Sequence, residues 1–265
     1  MIGVIRKIRN RLFKNELIKN ELIKNEQSIF NCSNNSTFEN KSLDTNVNGY
    51  VTNNSTIQIG ENCKINCTIY CQDQSEIIIK DNIKIENLTI NCRGNSKILI
   101  EDGVIFDSLK MNTLYANNGK IIINNKAHIK SSISAKFGGK IKIGTYTDIG
   151  EDTEIRAEEE VIIGNYCLFS YNINIFDTNT HSTDWEIRRS NIINAYPNCF
   201  DELQKPKTKP IYIGNDVWLG KNVVINKGAN IGNRVIVGIN TVVSSGDYPD
   251  DCLIVCDVPR VITKK

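Results

Sequence analysis

The residues able to carry chemistry crowd into one stretch, FDTNTHSTDWEIRR at 176–189, of a 265-residue chain. It brings His181, one of only two histidines, together with Asp177, Asp184, Trp185, Arg188 and Arg189. Histidine is the side chain whose ordinary pKa suits moving a proton near neutral pH, so His181 is the candidate general base. A carboxylate accepting from its second ring nitrogen would fix the tautomer. Asp177, four positions earlier, is the nearest candidate, and Asp184 the alternative. Arg188 and Arg189 suit an anionic substrate through charge-assisted hydrogen bonds, and Trp185 is grouped with them as a substrate contact. The competing readings are a structural loop histidine and solvent-facing arginines.

The other chemically suggestive residues read as structure. Nine cysteines include no C-x-x-C, and Cys63, Cys67 and Cys71 at spacing four have no histidine near them, so neither zinc nor a disulfide framework is expected. Lys+Arg 32 against Asp+Glu 30 leaves a net charge of +2, which offers no field to attract nucleic acid. Apolar runs are only a few residues long, against the roughly 20 a membrane-spanning helix needs.

What positions the candidate site is a repeat. Similar segments end on Ile59, Ile79, Ile100, Ile123, Ile143, Ile163 and Ile213, at separations of 20, 21, 23, 20, 20 and 50 residues. Six residues past each anchor stand Ile65, Ile85, Phe106, Ile129, Ile149, Phe169 and Leu219; four past stand Cys63, Ile83, Val104, Ala127, Thr147, Cys167 and Val217. Both columns are apolar, small or branched, as inward positions must be. Cys63 and Cys167 therefore serve as small hydrophobes. After the 50-residue interval, Ile213, Leu219, Ile225, Ile231, Val237 and Val243 fall every six residues. Each hexad makes a short strand and a corner, three hexads make a triangular coil, and stacked coils bury a common column. The 43 isoleucines suit such strands, and the 36 asparagines suit corners with left-handed backbone angles. Spacings of 20 imply a two-residue bulge at one corner of each early coil.

The domain plan follows. Residues 1–30 read as an amphipathic helical arm, with Ile5, Ile8 and Leu12 at helical spacing and a basic face that could lie on an anionic membrane through residues 1–28. Residues 31–54 read as a linker or cap, 55–248 as the parallel β-helix, and 249–265 as a closing segment. The insertion at 176–210 adds about 30 residues to one coil, and insertions in repeat proteins gather on one face and carry function. His128, the other histidine, falls in a mixed column expected to face outward.

The segment KPIYIGNDVWLGKNVVINKGANIGNRVIVGINTVVSSGDYPDDCLIVCDVPRVI, residues 209–262, resembles the hexapeptide-repeat acyltransferases. DTNTHSTD, residues 177–184, resembles the D-x-x-x-H element that this family carries before its extended loop. With 143–176 the likeness covers nearly half the chain, and it is nearest to bacterial O-acetyltransferases of capsule, lipopolysaccharide or sialic acid. The resemblance implies an all-β, left-handed parallel β-helix and a homotrimer, with acetyl-CoA as donor and no metal. It also implies His181 as base, and Trp218 of the DVWLG element beside the cleft. The coenzyme would lie between the late coils of two subunits, near Gly220, Lys227 and Gly238. The chain departs from the family at CDVPR, residues 256–260, where members commonly carry a GNPAK-like turn. The expected acceptor is a glycan in the cytoplasm or at the inner face of the membrane. N-acetylation of a nucleotide-linked amino sugar and non-catalytic glycan binding are the alternatives. A carbonic anhydrase of this shape needs three histidines.

Overall fold

A computed structural model describes residues 21–25, 28–33, 35–195 and 204–256. Most of the N-terminal arm and residues 257–265 lie outside the described residues. The rest winds into a β-solenoid of about 11 turns. One of its three faces is a ladder of ten parallel strands, from Thr37–Asn40 through Lys140–Ile143 and Ile211–Ile213 to Gly246–Tyr248. The other two faces are also parallel, so each strand takes its hydrogen bonds from the turns above and below it.

The inward columns read from the sequence are the core. All seven anchors are buried, as are the residues four and six positions past them. This continuous apolar column is the main source of stability, because a single coil buries almost nothing by itself. The corners are built from residues in left-handed conformation, and half of the non-glycine ones are asparagine, as the composition implied. Some of these asparagines also stack between coils, as in Asn172, Asn222 and Asn240. At Gly150 a side chain has no room: a Cβ would stand 2.0 Å from the Ser170 carbonyl oxygen of the next coil.

Four expectations need correction. The early coils carry no two-residue corner bulge. Instead Lys64–Cys71 and Lys84–Arg93 run across two faces as single strands, with alternate residues inward. The 21-residue spacing is one unpaired residue at Asn87, and the 23-residue spacing is a bulge between Asp107 and Asn112. Residues 31–54 are not a linker: Thr37–Asn40 and Thr45–Val51 pair with the following coil and bury Val47 and Val51. Their inward positions are too varied to show the repeat. The helical arm does not reach residue 30, since Glu21–Asn25 pairs antiparallel with Ser28–Cys32 and covers the edge that the first coil would leave open. At the other end the solenoid runs past residue 248, with Leu253–Ile254 paired to Ile236–Val237.

Among the described residues all eight cysteines are free thiols. Burial pushes the Cys67 thiol up to about 12, as expected of an inert core residue. No helix among them is long and apolar enough to cross a membrane.

Truncating one inward isoleucine should open a void that the flanking coils cannot close. Ile155→Ala is expected to cost about 2–5 kcal/mol, measured by denaturant unfolding.

Candidate active site

The insertion leaves the solenoid where Asn174–Phe176 ends, at the corner that leads to Ile211–Ile213. Its two limbs join into a short antiparallel neck. Thr178 bridges Thr208, the Asn179 N–H donates to the Lys207 carbonyl at 3.0 Å, and the Lys209 N–H donates to the Asp177 carbonyl at 2.9 Å.

Buried acids pin this neck to the coil before it. Asp177 is fully buried, and its carboxylate accepts the backbone N–H groups of Glu158 at 2.8 Å and of Glu159 and Glu160 at 2.7 Å each. Desolvation pushes the Asp177 carboxyl above its ordinary value against those three donors, and nearby Glu158 adds to the rise. Glu158, also fully buried, accepts from the Arg156 guanidinium at 2.9 and 2.5 Å and from the Thr178 hydroxyl at 2.8 Å. A buried carboxylate needs such compensation, and this one has it.

The expected pairing of Asp177 with His181 is thereby corrected. Both carboxylate oxygens are taken by backbone N–H groups, so Asp177 acts on the neck. Asp184, the alternative, accepts the Glu186 N–H at 2.8 Å and caps the one helix among the described residues, α1 (Trp185–Ala195). Beyond the neck, Thr180 takes a left-handed φ of 61° and the His181 N–H donates to the Asn179 carbonyl, leaving the imidazole exposed. Arg188 donates to the Ser182 carbonyl at 2.8 Å, and the Arg189 guanidinium lies 4.6 Å from the centre of the Trp185 ring one helical turn away. All three candidate substrate contacts on α1 are exposed.

The coenzyme candidates separate. Lys227 lies under the neck in a groove of about 530 Å³ that also holds Lys205, Lys207, Lys209, Thr208 and Ser245. Lys209 donates to the Ser245 hydroxyl at 2.8 Å and Lys227 to the Lys207 carbonyl at 3.4 Å. Gly220 and Gly238 stand at a different corner, between the faces that carry Trp218–Leu219 and Val224–Asn226. A Cβ on Gly220 would stand 2.8 Å from the Ile239 nitrogen, so that glycine is required by coil stacking and not by an approaching ligand. Trp218 does point outward, about half exposed, in a parallel column with Leu168, Ile236 and Leu253.

His128 is engaged elsewhere, with one ring nitrogen 2.6 Å from Asp107 and the other 3.4 Å from Asp148. Although burial acts to raise it, the Asp107 carboxyl is held below its ordinary value by His128, Lys130 and Lys84. Sequence reasoning missed Arg156, Glu158 and the lysines at 205, 207 and 209. The alternation K-P-K-T-K was a readable signal for the last group; the buried pair was not readable, because Glu158 sits in an unremarkable acidic run. Among the described residues no group of three or more His, Cys, Asp and Glu is placed to hold a metal ion.

Comparison with known proteins agrees with the resemblance read from the motifs. The chain is 27% identical over 144 residues to the galactoside O-acetyltransferase of Lactococcus lactis subsp. lactis (strain IL1403), covering 54% of this chain and 62% of that protein. It is 32% identical over 130 residues to the putative lipopolysaccharide biosynthesis O-acetyl transferase WbbJ of Escherichia coli (strain K12), covering 49% of this chain and 63% of that protein. Each match thus spans just under two thirds of the relative. No family model matches the chain. Among solved structures, the polySia specific acetyltransferase NeuO aligns over 89% of this chain and 79% of its own, at 20% identity and a TM-score of 0.47. The described chain is a parallel β-solenoid, and in sequence it is similar to proteins named O-acetyltransferases.

Asp177→Ala would leave the Glu158 N–H buried without an acceptor. A loss of about 1–3 kcal/mol is expected for that donor alone, with faster amide exchange at 158–160, read by unfolding and hydrogen exchange.

Proposed function

We propose that this chain is an acetyl-CoA-dependent O-acetyltransferase that modifies a sugar hydroxyl of a bacterial surface glycan, with His181 as general base. The observation that carries the reading is an exposed imidazole held just past a pinned neck whose returning limb, at Lys207 and Lys209, lines a groove with four lysines. His128 has a carboxylate near each ring nitrogen, which supports giving the base role to His181. A sugar hydroxyl is a poor nucleophile near neutral pH until its proton is taken as it attacks.

In the proposed step a ring nitrogen of His181 accepts that proton while the acceptor oxygen bonds to the thioester carbonyl carbon. The tetrahedral intermediate collapses, the carbon–sulfur bond breaks, and the coenzyme thiolate takes the proton back from the imidazolium. The lysine groove is suited to the coenzyme's phosphates, which are compact multivalent anions. The O-acetyltransferase names of the sequence relatives support the acetyl group and the hydroxyl acceptor.

A homotrimer completes the reading. The outward column Leu168, Trp218, Ile236 and Leu253 is an apolar stripe over four consecutive coils, and Ile192 and Ile193 stand exposed on α1. Adjacent copies covering these surfaces would form the crevice in which Trp218 and His181 meet the substrates. The proposed location is the cytoplasm, at the inner face of the membrane if residues 1–28 bind there.

His181→Ala should lower acetyl transfer by roughly 10² to 10⁴ while coenzyme binding persists, measured by single-turnover kinetics and calorimetry. Unchanged turnover would remove His181 from the mechanism, and a product stable to mild base would indicate an amide instead of an ester. Ile236→Glu should dissociate the assembly, read as a drop in mass by light scattering.

A further inference from the structure

The 23-residue spacing builds a second groove, away from the insertion. Four residues, Ser108–Met111, leave the ladder between Asp107 and Asn112 and arch over the following coil. Their far side is fastened to the coil beyond that. Glu151 accepts the Ser108 hydroxyl at 2.7 Å and the Leu109 N–H at 3.0 Å, and Lys110 donates to Asp152 at 2.5 Å. A bulge that ended a ladder at random would not carry three bonds to a coil 40 residues onward. This one is a built wall.

Between that wall and the solenoid face lies a groove of about 730 Å³. Its floor is the outward column Tyr115 and Ser134, in parallel register. Arg93 and Lys136 lie 5.3 and 5.4 Å from the centre of the Tyr115 ring, and Arg93 also donates to the tyrosine hydroxyl at 2.5 Å. Two cations are thus held beside one aromatic ring at one end. Asp152 and Glu154 line the other end. Guanidinium and ammonium groups recognise a carboxylate, and carboxylates and serine hydroxyls recognise sugar hydroxyls. A neutral sugar would leave the Arg93 and Lys136 end unused, and a phosphate would make no use of the Glu154 carboxylate at the other end, where Asp152 is already paired with Lys110.

The groove shares a face with the candidate active site. Tyr115 registers with Ser134, Ser134 with Arg156, and Arg156 with Phe176, the last residue before the insertion. Three coil steps at the usual strand spacing separate the groove from the neck by roughly 14 Å. An oligosaccharide of several units would span that distance, and a single sugar would not.

We propose that the groove behind the Ser108–Met111 bulge is a second saccharide subsite, which holds a carboxylate-bearing sugar of an extended glycan whose distal hydroxyl reaches His181. The inference rests on the O-acetyltransferase reading for the reacting end only; the subsite binds glycan whether or not transfer occurs.

The test uses the full chain with sialic acid oligomers of graded length and neutral dextran oligomers as controls. Binding is followed by calorimetry without donor, and acetyl transfer is followed with acetyl-CoA. Wild-type protein should bind long acidic oligomers at least tenfold more tightly than the monomer or dextran, and should show the same preference in kcat/KM. Lys136→Glu should reduce that length preference at least tenfold in both readouts. Ser134→Trp, which fills the groove without changing charge, should do the same and guards against misfolding of a single variant. If the wild type binds no acidic oligomer, or if both folded variants keep the preference, the subsite is overturned. Oligomer binding that is lost in the variants while no acceptor is ever acetylated would uphold the subsite and sink the transferase reading.

Discussion

Everything in this molecule depends on the hydrogen-bonded register between one coil and the next. A coil has no core of its own and no satisfied edge, so its backbone groups and its inward isoleucines find partners only in its neighbours. The register is set by side-chain alternation, since a slip of one residue would turn the inward column out to water. Ile129, Ile149, Phe169, Leu219 and Val237 stack in one such column because each strand above and below is held in phase. The corners obey the same constraint: Gly150 and Gly220 are small because the next coil's backbone already occupies the space.

A rigid stack makes any interruption conspicuous and also mechanically useful. The insertion is not a loose loop tied at its ends. Its neck is fixed by Asp177 and Glu158, two buried carboxylates whose desolvation is offset by three backbone N–H groups, a guanidinium and a hydroxyl. That arrangement places His181 a few residues from an immobile anchor. The bulge at Ser108–Met111 is the same device at smaller scale, an excursion from the ladder that is fastened to a later coil by Glu151 and Asp152.

The surface is divided along the stack. In the outward column that contains Trp218, the early coils carry Lys84, Ile105, His128 and Asp148, three of the four polar, and the late coils carry Leu168, Trp218, Ile236 and Leu253. Polar groups suit a face left in water, whereas an apolar stripe of this length gains from being covered. The late coils are therefore where the proposed contact between copies would fall.

The sequence by itself determined the solenoid, because burial recurs at a fixed period and apolar residues at that period can be read without coordinates. It also marked the insertion and its histidine, since both break the period. It misjudged the early coils at 31–54, where Ser42, Thr45 and Val47 fill inward positions without the isoleucine signature. Only the tertiary structure decided what Asp177 does, because the three N–H groups it accepts come from a coil nearly twenty residues earlier. It alone set Lys227 at one corner with Lys205, Lys207 and Lys209, and Gly220 with Gly238 at another. Spacing along a chain reports which face a residue takes; which distant groups share its surroundings follows from how the coils stack, and that is a property of the folded whole.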